Sequence, residues 1–221
     1  MYATLSTEAY KGQIYYTTNG DQPSLKSQLY EGLIKINSSL TIKAATVVNG
    51  EVKSVIPAEQ QFALHKAIGK KVNYTHPIIR YYMADGPNSL TDGIKGTTAI
   101  NKFWHGIAAK DLIAIVDLEE EKNIQLLSLG CLQNYNDWIM MPEWAKFEVS
   151  LDGVNYTEIK TVANPISQQE KKSVINNFTA TFPSLKARFV RVTAKVLNQL
   201  PKGHSGEGKP AWIFADEFIV E

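Results

Sequence analysis

The 221-residue sequence contains a single cysteine, Cys131, so that no intrachain disulfide can form. This excludes the small secreted domains that depend on several disulfides, and it agrees with a cytosolic protein or a bacterial exported one. Cys131 lies in the apolar run LLSLGCLQ. A nucleophilic thiol needs basic neighbours, so this run favours a buried, unreactive thiol.

Long apolar runs and clusters of positive charge are also missing. No stretch approaches the roughly 18 consecutive apolar residues of a membrane helix, and the chain opens on strand-like sequence without the apolar segment of a signal peptide. This abrupt opening indicates a piece of a longer protein. Lys and Arg total 23 against 22 Asp and Glu, and no basic run exceeds a Lys-Lys pair. We therefore expect no nucleic-acid binding.

Strand signals dominate the sequence, and convincing helical periodicity is absent. Asn19-Gly20 and Asn49-Gly50 each follow a run rich in β-branched and aromatic residues, which predicts a hairpin turn at both places. These runs predict a first all-β unit over residues 1–65.

A second unit is predicted over residues 66–221, and the basic stretch HKAIGKK is predicted to link it to the first. DLIAIVDL and IQLLSLGCL read as two strands separated by a solvated turn at EEEKN. Asp152-Gly153 marks a turn between two further strands. Many short strands with turn residues between them predict a sandwich or barrel.

Motifs for metal-dependent or nucleophilic catalysis are not found. The sequence has no His-Glu-x-x-His, no Cys-x-x-Cys, no phosphate-binding glycine loop and no Gly-x-Ser-x-Gly. Ser205 follows His204 in GHSGEG, but two adjacent loop residues do not make a triad. Paired carboxylates for glycoside hydrolysis remain an alternative. Asp216 and Glu217 might pair, although their place at the final strand favours structural roles.

The loop GPNSLTDGIKGT holds one acid, Asp92, among glycine, proline and hydroxyl residues. Calcium takes carboxylate, hydroxyl and backbone oxygens from irregular loops of this kind, although the acid spacing of an EF-hand is missing. Asp92 in a turn cap explains the composition equally well. Both interpretations stay open at this point.

All four tryptophans fall in the predicted second unit. Trp104 and Trp138 have polar, loop-like neighbours, whereas Trp144 and Trp212 border strands and are expected in the core. Exposed aromatic rings stack on the apolar faces of sugars, but burial of each ring under a loop is the competing interpretation.

The second unit resembles the discoidin domain, also called the coagulation factor five/eight type C domain, which overlaps the family-32 carbohydrate-binding modules. The resemblance rests on SLTDG, DLIAIVDL, PEWAKFEVSLDGVNYTEI, ARFVRVTAK and WIFADEFIVE, which occur in the family's order. It implies an all-β fold of two β-sandwiches in series, the second being a discoidin-like, galactose-binding-like jelly roll.

The first unit is similar to the small β-sandwich module behind the catalytic domain of chitobiases and β-hexosaminidases. Tyr16, Thr17, Gly20 and Pro23 reproduce the order of that module. The pair of units resembles the C-terminal end of a family-20 glycoside hydrolase of the chitobiase type, as seen in gut Bacteroides. This implies an exported protein in the periplasm, on the outer membrane or outside the cell. It also implies a parent catalytic domain in cis, no catalytic residue in this chain, and a monomer.

The resemblance also implies a structural calcium ion held by Asp92 and Glu217, with Thr97 and loop carbonyls supplying further oxygens. These acids are far apart in sequence, so one ion would tie the first and last parts of the second unit together. The family often places a tryptophan shortly after the threonine, whereas Trp104 comes later here.

The expected function is therefore non-catalytic carbohydrate binding, directed to glycans that contain N-acetylhexosamine or galactose. The resemblance and the loop composition place the sugar on NYNDW and PKGHSGEGKP. Hydrophobic loop tips are not evident, so no membrane insertion is expected. The alternative is that both units are structural spacers without sugar binding. The candidate sugar-binding residues are Trp104, His105, Tyr135, Trp138 and His204.

Overall fold

A computed structural model describes residues 1–77, 80–100 and 103–221 of the chain. It divides into two compact units, Met1–Leu64 and His65–Glu221, so that the boundary falls one residue before the predicted one. Both units are built from β-strands. The helical segments in the described part are short 3-10 turns: Arg80–Tyr82, Ser89–Thr91 and Tyr135–Asp137.

The first unit contains a five-stranded and a two-stranded antiparallel sheet. In the larger sheet the order is β3-β2-β5-β6, with β7 also paired to β5, and β1 pairs with β4. Ile34, Ile36 and Ile42 form its buried core. The strands are β1 (Tyr2–Ala3), β2 (Gln13–Thr17), β3 (Gln28–Leu29), β4 (Ile34–Lys35), β5 (Leu40–Val48), β6 (Glu51–Val52) and β7 (Ala58–Phe62).

One of the two predicted hairpins in the first unit is present. Asn49 and Gly50 have φ of 51° and 76° and join β5 directly to β6, which is the geometry of a two-residue hairpin turn. The hairpin predicted at Asn19-Gly20 is wrong, because β2 pairs with β3, which starts much later in the chain. The Asn19 side chain instead hydrogen-bonds Asp21, and this local turn opens a longer loop.

The second unit is one antiparallel sheet of seven strands in the order β12-β11-β13-β10-β14-β9, with β8 also paired to β10. Its large apolar core is continuous. The strands are β8 (Val72–Tyr74), β9 (His105–Ala108), β10 (Leu112–Gln133), β11 (Trp144–Ser150), β12 (Thr157–Ala163), β13 (Val174–Ala194) and β14 (Trp212–Val220).

The two strands predicted on either side of EEEKN are a single strand, β10. Its register against β13 shifts between Asp117 and Lys122, and Glu119 has a φ of 70°. The predicted solvated turn is therefore wrong. The charged residues are exposed, but they form a β-bulge, which bends a strand without ending its pairing.

The bulge divides the sheet into two halves that face each other across the core. The first half of β10 pairs with β8, and its second half pairs with β14. Phe147 on β11 and Phe218 on β14 stack with ring centroids 6.2 Å apart, although these strands are not neighbours in the sheet. The result is a β-sandwich, as predicted.

Cys131 is fully buried in its core, where burial raises the pKa of the thiol, so the prediction of a buried thiol is confirmed.

The stretch HKAIGKK packs onto the second unit and is not a free linker. The backbone N–H of Lys66 donates to the carbonyl of Val220 at 2.8 Å, and that of Gly69 donates to Thr91 at 2.7 Å. Ala67 is completely buried. The prediction of a link missed the alternation of apolar and basic residues that permits this packing.

In the part of the chain that the structure describes, no helix has the length and apolar character needed to span a membrane.

Candidate functional site

The loop around Asp92 is a turn fixed by its own side chain. Asp92 ends the 3-10 helix Ser89–Thr91, and its Oδ1 accepts a hydrogen bond from the N–H of Ile94 at 2.8 Å. Gly93 has a φ of 80°, which glycine adopts without strain. Asp92 therefore caps a turn, as one of the two interpretations of the sequence proposed.

Glu217 of β14 reaches the same turn from the other end of the domain. Its Oε2 accepts the N–H of Gly93 at 2.8 Å, and its Oε1 lies 2.8 Å from Nε2 of His65. The N–H of Ala67 donates to Nδ1 of His65 at 3.2 Å, so the imidazole proton of a neutral ring sits on Nε2 and points at Glu217. Both oxygens of this fully buried carboxylate are thus positioned by donors.

The structure brings Asp92 and Glu217 together, and their environment opposes negative charge. Burial and the charge of Glu217 raise the pKa of Asp92 to about 8. Burial and the charge of Asp216 raise the pKa of Glu217 well above its ordinary value. Burial lowers the pKa of His65 to about 4, so its ring is neutral at pH 7. We call Asp92, Glu217 and His65 the acidic cluster.

Asp216 anchors the loop that follows Asp92. Its Oδ1 accepts from Nζ of Lys95 and its Oδ2 from the N–H of Gly96, both at 2.9 Å. Asp216 and Glu217 are 1% and 0% exposed, so a substrate cannot reach them as a glycosidase acid pair. The structural role that the sequence favoured for these acids is confirmed.

Thr97 holds a tryptophan in place. Its carbonyl accepts the indole N–H of Trp104 at 2.9 Å, and its hydroxyl accepts the N–H of Ala99 at 3.4 Å. Among the described residues, no group of three or more His, Cys, Asp or Glu side chains is arranged to hold a metal ion. A cation here would therefore need hydroxyl or carbonyl oxygens in addition to the two acids.

Trp104 is buried, which favours burial under a loop over the alternative of a ring that stacks on a sugar. The side chain is 1% exposed and packs with Leu132, Ile139 and Phe214. Gly96 lies against the indole so closely that a Cβ there would collide with it. The polar neighbours of Trp104 in sequence gave no sign of this packing, because Leu132 and Phe214 come from β10 and β14.

His105 is likewise a buried residue and not a sugar ligand in this structure. It is 1% exposed, its Nδ1 lies 2.8 Å from the Ser89 hydroxyl, and its ring stacks on Tyr74 at 5.0 Å. Burial lowers its pKa to about 4. The His105 Nε2 and the Tyr74 hydroxyl have no hydrogen-bond partner among the described residues.

Tyr135 and His204 are buried and pack against each other. They are 7% and 5% exposed, and their rings lie 4.3 Å apart. His204 lies with Nε2 2.7 Å from the carbonyl of Tyr135, and its Nδ1 accepts the N–H of Gly206 at 2.9 Å. Their predicted contact with a sugar needs correction, because each is covered by the loop it stabilises.

Trp138 is half-buried and is held in an unusual conformation. Its backbone is left-handed, with φ 64° and ψ 15°, a strained geometry for a bulky residue. Its indole N–H donates to the Ser205 hydroxyl at 3.2 Å, and a Cβ on Gly206 would lie 2.8 Å from the ring. The glycine-rich loop PKGHSGEGKP therefore lies alongside NYNDW, as the sequence predicted, and glycine is required for the close approach.

A shallow pocket of about 260 Å³ opens beside Trp138, and we call it the aromatic pocket. Trp212 and Phe214 reach it from β14, and the rings of Trp212 and Tyr82 meet edge to face at 5.3 Å. Its floor and walls combine aromatic and aliphatic side chains with one carboxylate. The residues that line it are Tyr82, Ile100, Asp137, Trp138, Ile139, Trp212 and Phe214.

Of the five predicted sugar-binding residues, Trp138 lines this pocket. Trp212 was expected in the core, but it is half-buried and lines the pocket. The alternation Trp212-x-Phe214 on a strand places both side chains on one face and was an available signal. Asp137 lies within NYNDW but is not among the predicted sugar-binding residues. For Tyr82 the sequence holds no such signal, because a 3-10 turn carries it to β14.

Comparisons with known proteins agree with this architecture. Residues 73–205 match the family model of the F5/8 type C domain, and residues 2–57 match that of the chitobiase/beta-hexosaminidase C-terminal domain. No curated protein matches the chain. Both family models describe accessory modules and not catalytic domains.

Several solved structures are similar to the chain. CBM32-3 from a family 31 glycoside hydrolase of Clostridium perfringens is 18% identical, with 72% of this chain and 94% of that chain covered and a TM-score of 0.46. Chitosan-binding module 1 from a chitosanase/glucanase of Paenibacillus sp. IK-5 is 18% identical, with coverages of 72% and 98% and a TM-score of 0.43. CpGH89CBM32-5 of C. perfringens, in complex with GalNAc-beta-1,3-galactose, is 18% identical, with coverages of 68% and 93% and a TM-score of 0.42.

The family match spans more than half of the chain and coincides with the β-sandwich described above. The chain belongs to the F5/8 type C, or discoidin, domain family through its second unit, and its first unit matches the model of the chitobiase/beta-hexosaminidase C-terminal domain.

Proposed function

We propose that this chain is the non-catalytic carbohydrate-binding region of an exported β-N-acetylhexosaminidase, and that the aromatic pocket receives the sugar. The observation that carries the proposal is the pocket itself. Four side chains with flat rings line one opening together with the carboxylate of Asp137: Tyr82, Trp138, Trp212 and Phe214.

The chemistry of the pocket suits a single sugar unit. Aromatic rings offer apolar faces to the C–H face of a pyranose, and a carboxylate accepts hydrogen bonds from hydroxyls on the ring edge. The pocket is too shallow to enclose a ligand, so we expect a dissociation constant on the order of 0.1 to 1 mM, or about 4 to 5.5 kcal/mol.

The test is a calorimetric or NMR titration with N-acetylglucosamine, N-acetylgalactosamine and galactose. Trp212→Ala removes one wall of the pocket, and Gly206→Ala forces the Trp138 ring to shift, since the new Cβ would lie 2.8 Å from it. We expect each variant to weaken binding by about tenfold, the scale of one aromatic contact. Trp144→Ala is the matched control, because Trp144 is half-buried but does not line the pocket.

A folded protein that binds no sugar at 10 mM would contradict the proposal and favour the alternative, in which both units are structural spacers. Binding that Trp212→Ala and Gly206→Ala leave unchanged would show that the chain binds glycans at another surface.

We propose in addition that a calcium ion binds between Asp92 and Glu217, with oxygens from Thr97 and the loop carbonyls. The donor set fits such an ion. Two carboxyl groups from distant parts of the sequence meet in a buried place, and burial together with the charge of Glu217 raises the pKa of Asp92 to about 8. A divalent cation would supply that compensation and would link the loop to β14.

The parent enzyme and the location are proposals supported by the first unit. Its match to the chitobiase/beta-hexosaminidase C-terminal domain supports a hexosaminidase catalytic domain in cis and export from the cell. Cell fractionation of the source organism tests the export, and we expect the isolated chain to sediment as a monomer.

A further inference from the structure

Asp137 gives the aromatic pocket a charge that a neutral sugar does not need. It is the only acidic or basic side chain among the described residues that line the pocket. It is exposed, at the end of the 3-10 helix Tyr135–Asp137, and its backbone N–H donates to the carbonyl of Asn134. Within the described residues its carboxylate makes no hydrogen bond or ion pair. Asp137 is therefore available to a ligand.

The surroundings of Asp137 favour a cationic group. The faces of Trp138, Trp212 and Tyr82 carry the negative side of the ring quadrupole, which attracts ammonium groups. A carboxylate beside them adds direct Coulomb attraction. The same arrangement repels the carboxylates of uronic and sialic acids.

We infer that the aromatic pocket prefers hexosamines whose amine is free, as in partly deacetylated glycans, over N-acetylated or acidic sugars. This inference rests on the proposed sugar-binding function and names the class of sugar. The ring of such a hexosamine stacks on a tryptophan, and its ammonium group pairs with Asp137.

Lys209 limits the size of the preference. Its Nζ lies 5.3 Å from the centroid of the Trp138 ring, but the residue does not line the pocket. An exposed ion pair and an exposed cation–π contact each contribute only about 0.5 to 1 kcal/mol. With Lys209 opposing them, we expect a three- to fivefold tighter binding of the free amine.

The experiment titrates the whole chain with glucosamine, N-acetylglucosamine and glucuronic acid at pH 6, where the amine is protonated, and at two salt concentrations. The test variant is Asp137→Asn, which keeps the shape of the side chain. Glu31→Gln is the control, because it changes the net charge equally at an exposed position of the first unit.

We expect glucosamine to bind three- to fivefold more tightly than N-acetylglucosamine, and less so at high salt. Asp137→Asn should weaken the binding of glucosamine more than that of N-acetylglucosamine and so remove the difference between them, and Glu31→Gln should change neither affinity. If N-acetylglucosamine binds as tightly as glucosamine, or if the preference persists in Asp137→Asn, the inference is wrong while the proposed function stands. If no sugar binds at all, both fall.

Discussion

The acidic cluster and the aromatic pocket are both built on β14, yet their side chains are held in opposite ways. Glu217 has donors on both oxygens and is fully buried. Asp137 has no partner for its carboxylate among the described residues, and Trp212 is half-buried. The buried carboxylate of Glu217 joins segments that are distant in sequence, whereas the exposed carboxylate of Asp137 faces solvent.

Calcium should give the largest difference between the two regions, because we expect it to bind the acidic cluster and not the aromatic pocket. At a hundredfold excess over its dissociation constant, an ion bound only by the folded state adds roughly 3 kcal/mol to the free energy of unfolding. We expect calcium to raise the melting temperature of the second unit by about 6 to 12 °C. Asp92→Asn should abolish the rise, because it removes a charged ligand while its amide oxygen can still cap the turn.

The matched control is Asp137→Asn, which removes a carboxylate from the aromatic pocket and should leave the calcium effect intact. A wild-type melting temperature that is the same in calcium and in chelator would show that the acidic cluster binds no ion. If Asp92→Asn and Asp137→Asn reduced the calcium-dependent rise in melting temperature equally, the two regions would not differ in their response to calcium.

His65 provides the next test, since it acts on the acidic cluster alone. His65→Ala leaves a buried oxygen of Glu217 without its donor, which should cost about 2 kcal/mol. His65→Gln supplies an amide donor and should recover at least half of that loss. The measurement is urea denaturation followed by tryptophan fluorescence, which reports the second unit because it holds all four tryptophans.

Sugar affinity should be the same in both His65 variants. A drop in sugar affinity would mean that the acidic cluster and the aromatic pocket are coupled, and an identical loss of stability in the two variants would mean that the hydrogen bond to Glu217 contributes nothing.

The ion pair between Arg191 and Glu148 lies outside both regions and serves as a reference for how stability changes with pH. Arg191 donates to both oxygens of Glu148, at 2.7 and 2.8 Å, and this lowers the pKa of Glu148 from its ordinary 4.5. Because the folded pKa is the lower one, the stabilisation is present above about pH 4.5 and is lost as pH falls through the folded value.

We expect Glu148→Gln to cost about 1 kcal/mol at pH 7 and less at pH 3. Melting curves of the variant and the wild type at both values measure the difference. The cost at pH 7 should be indifferent to calcium and to sugar, and a dependence on either would place Glu148 inside one of the two regions.

The acidic cluster was more predictable than the aromatic pocket, for a physical reason. Asp92 and Glu217 stand in short, recognisable segments, the DG loop and the final strand, and the hydrogen bond from Gly93 to Glu217 joins the two. The hydrogen bond from His65 to Glu217 escaped prediction, because a basic stretch between two units looks like a linker until its apolar residues are seen to pack.

The exposure of the Trp104 and Trp138 side chains could not be predicted from their neighbours in the sequence. Trp104 and Trp138 have similar polar surroundings in the chain, but one is buried beneath Gly96 and the other lies half-open against Gly206. The difference is made by segments distant in sequence. The bulge in β10 was missed similarly, because exposed charges are as compatible with a bulged strand as with a turn.

The unbroken course of β10 and β13 has a consequence for how the second unit comes apart. Each strand contributes hydrogen bonds to both facing halves of the sheet, so neither half can lose its pairing without loosening the backbone of the other. Partial opening is therefore confined to loops and edges such as β9 and β12. The core of the second unit therefore behaves as one cooperative folding unit, and the loops at its edge keep their positions for as long as that core is folded.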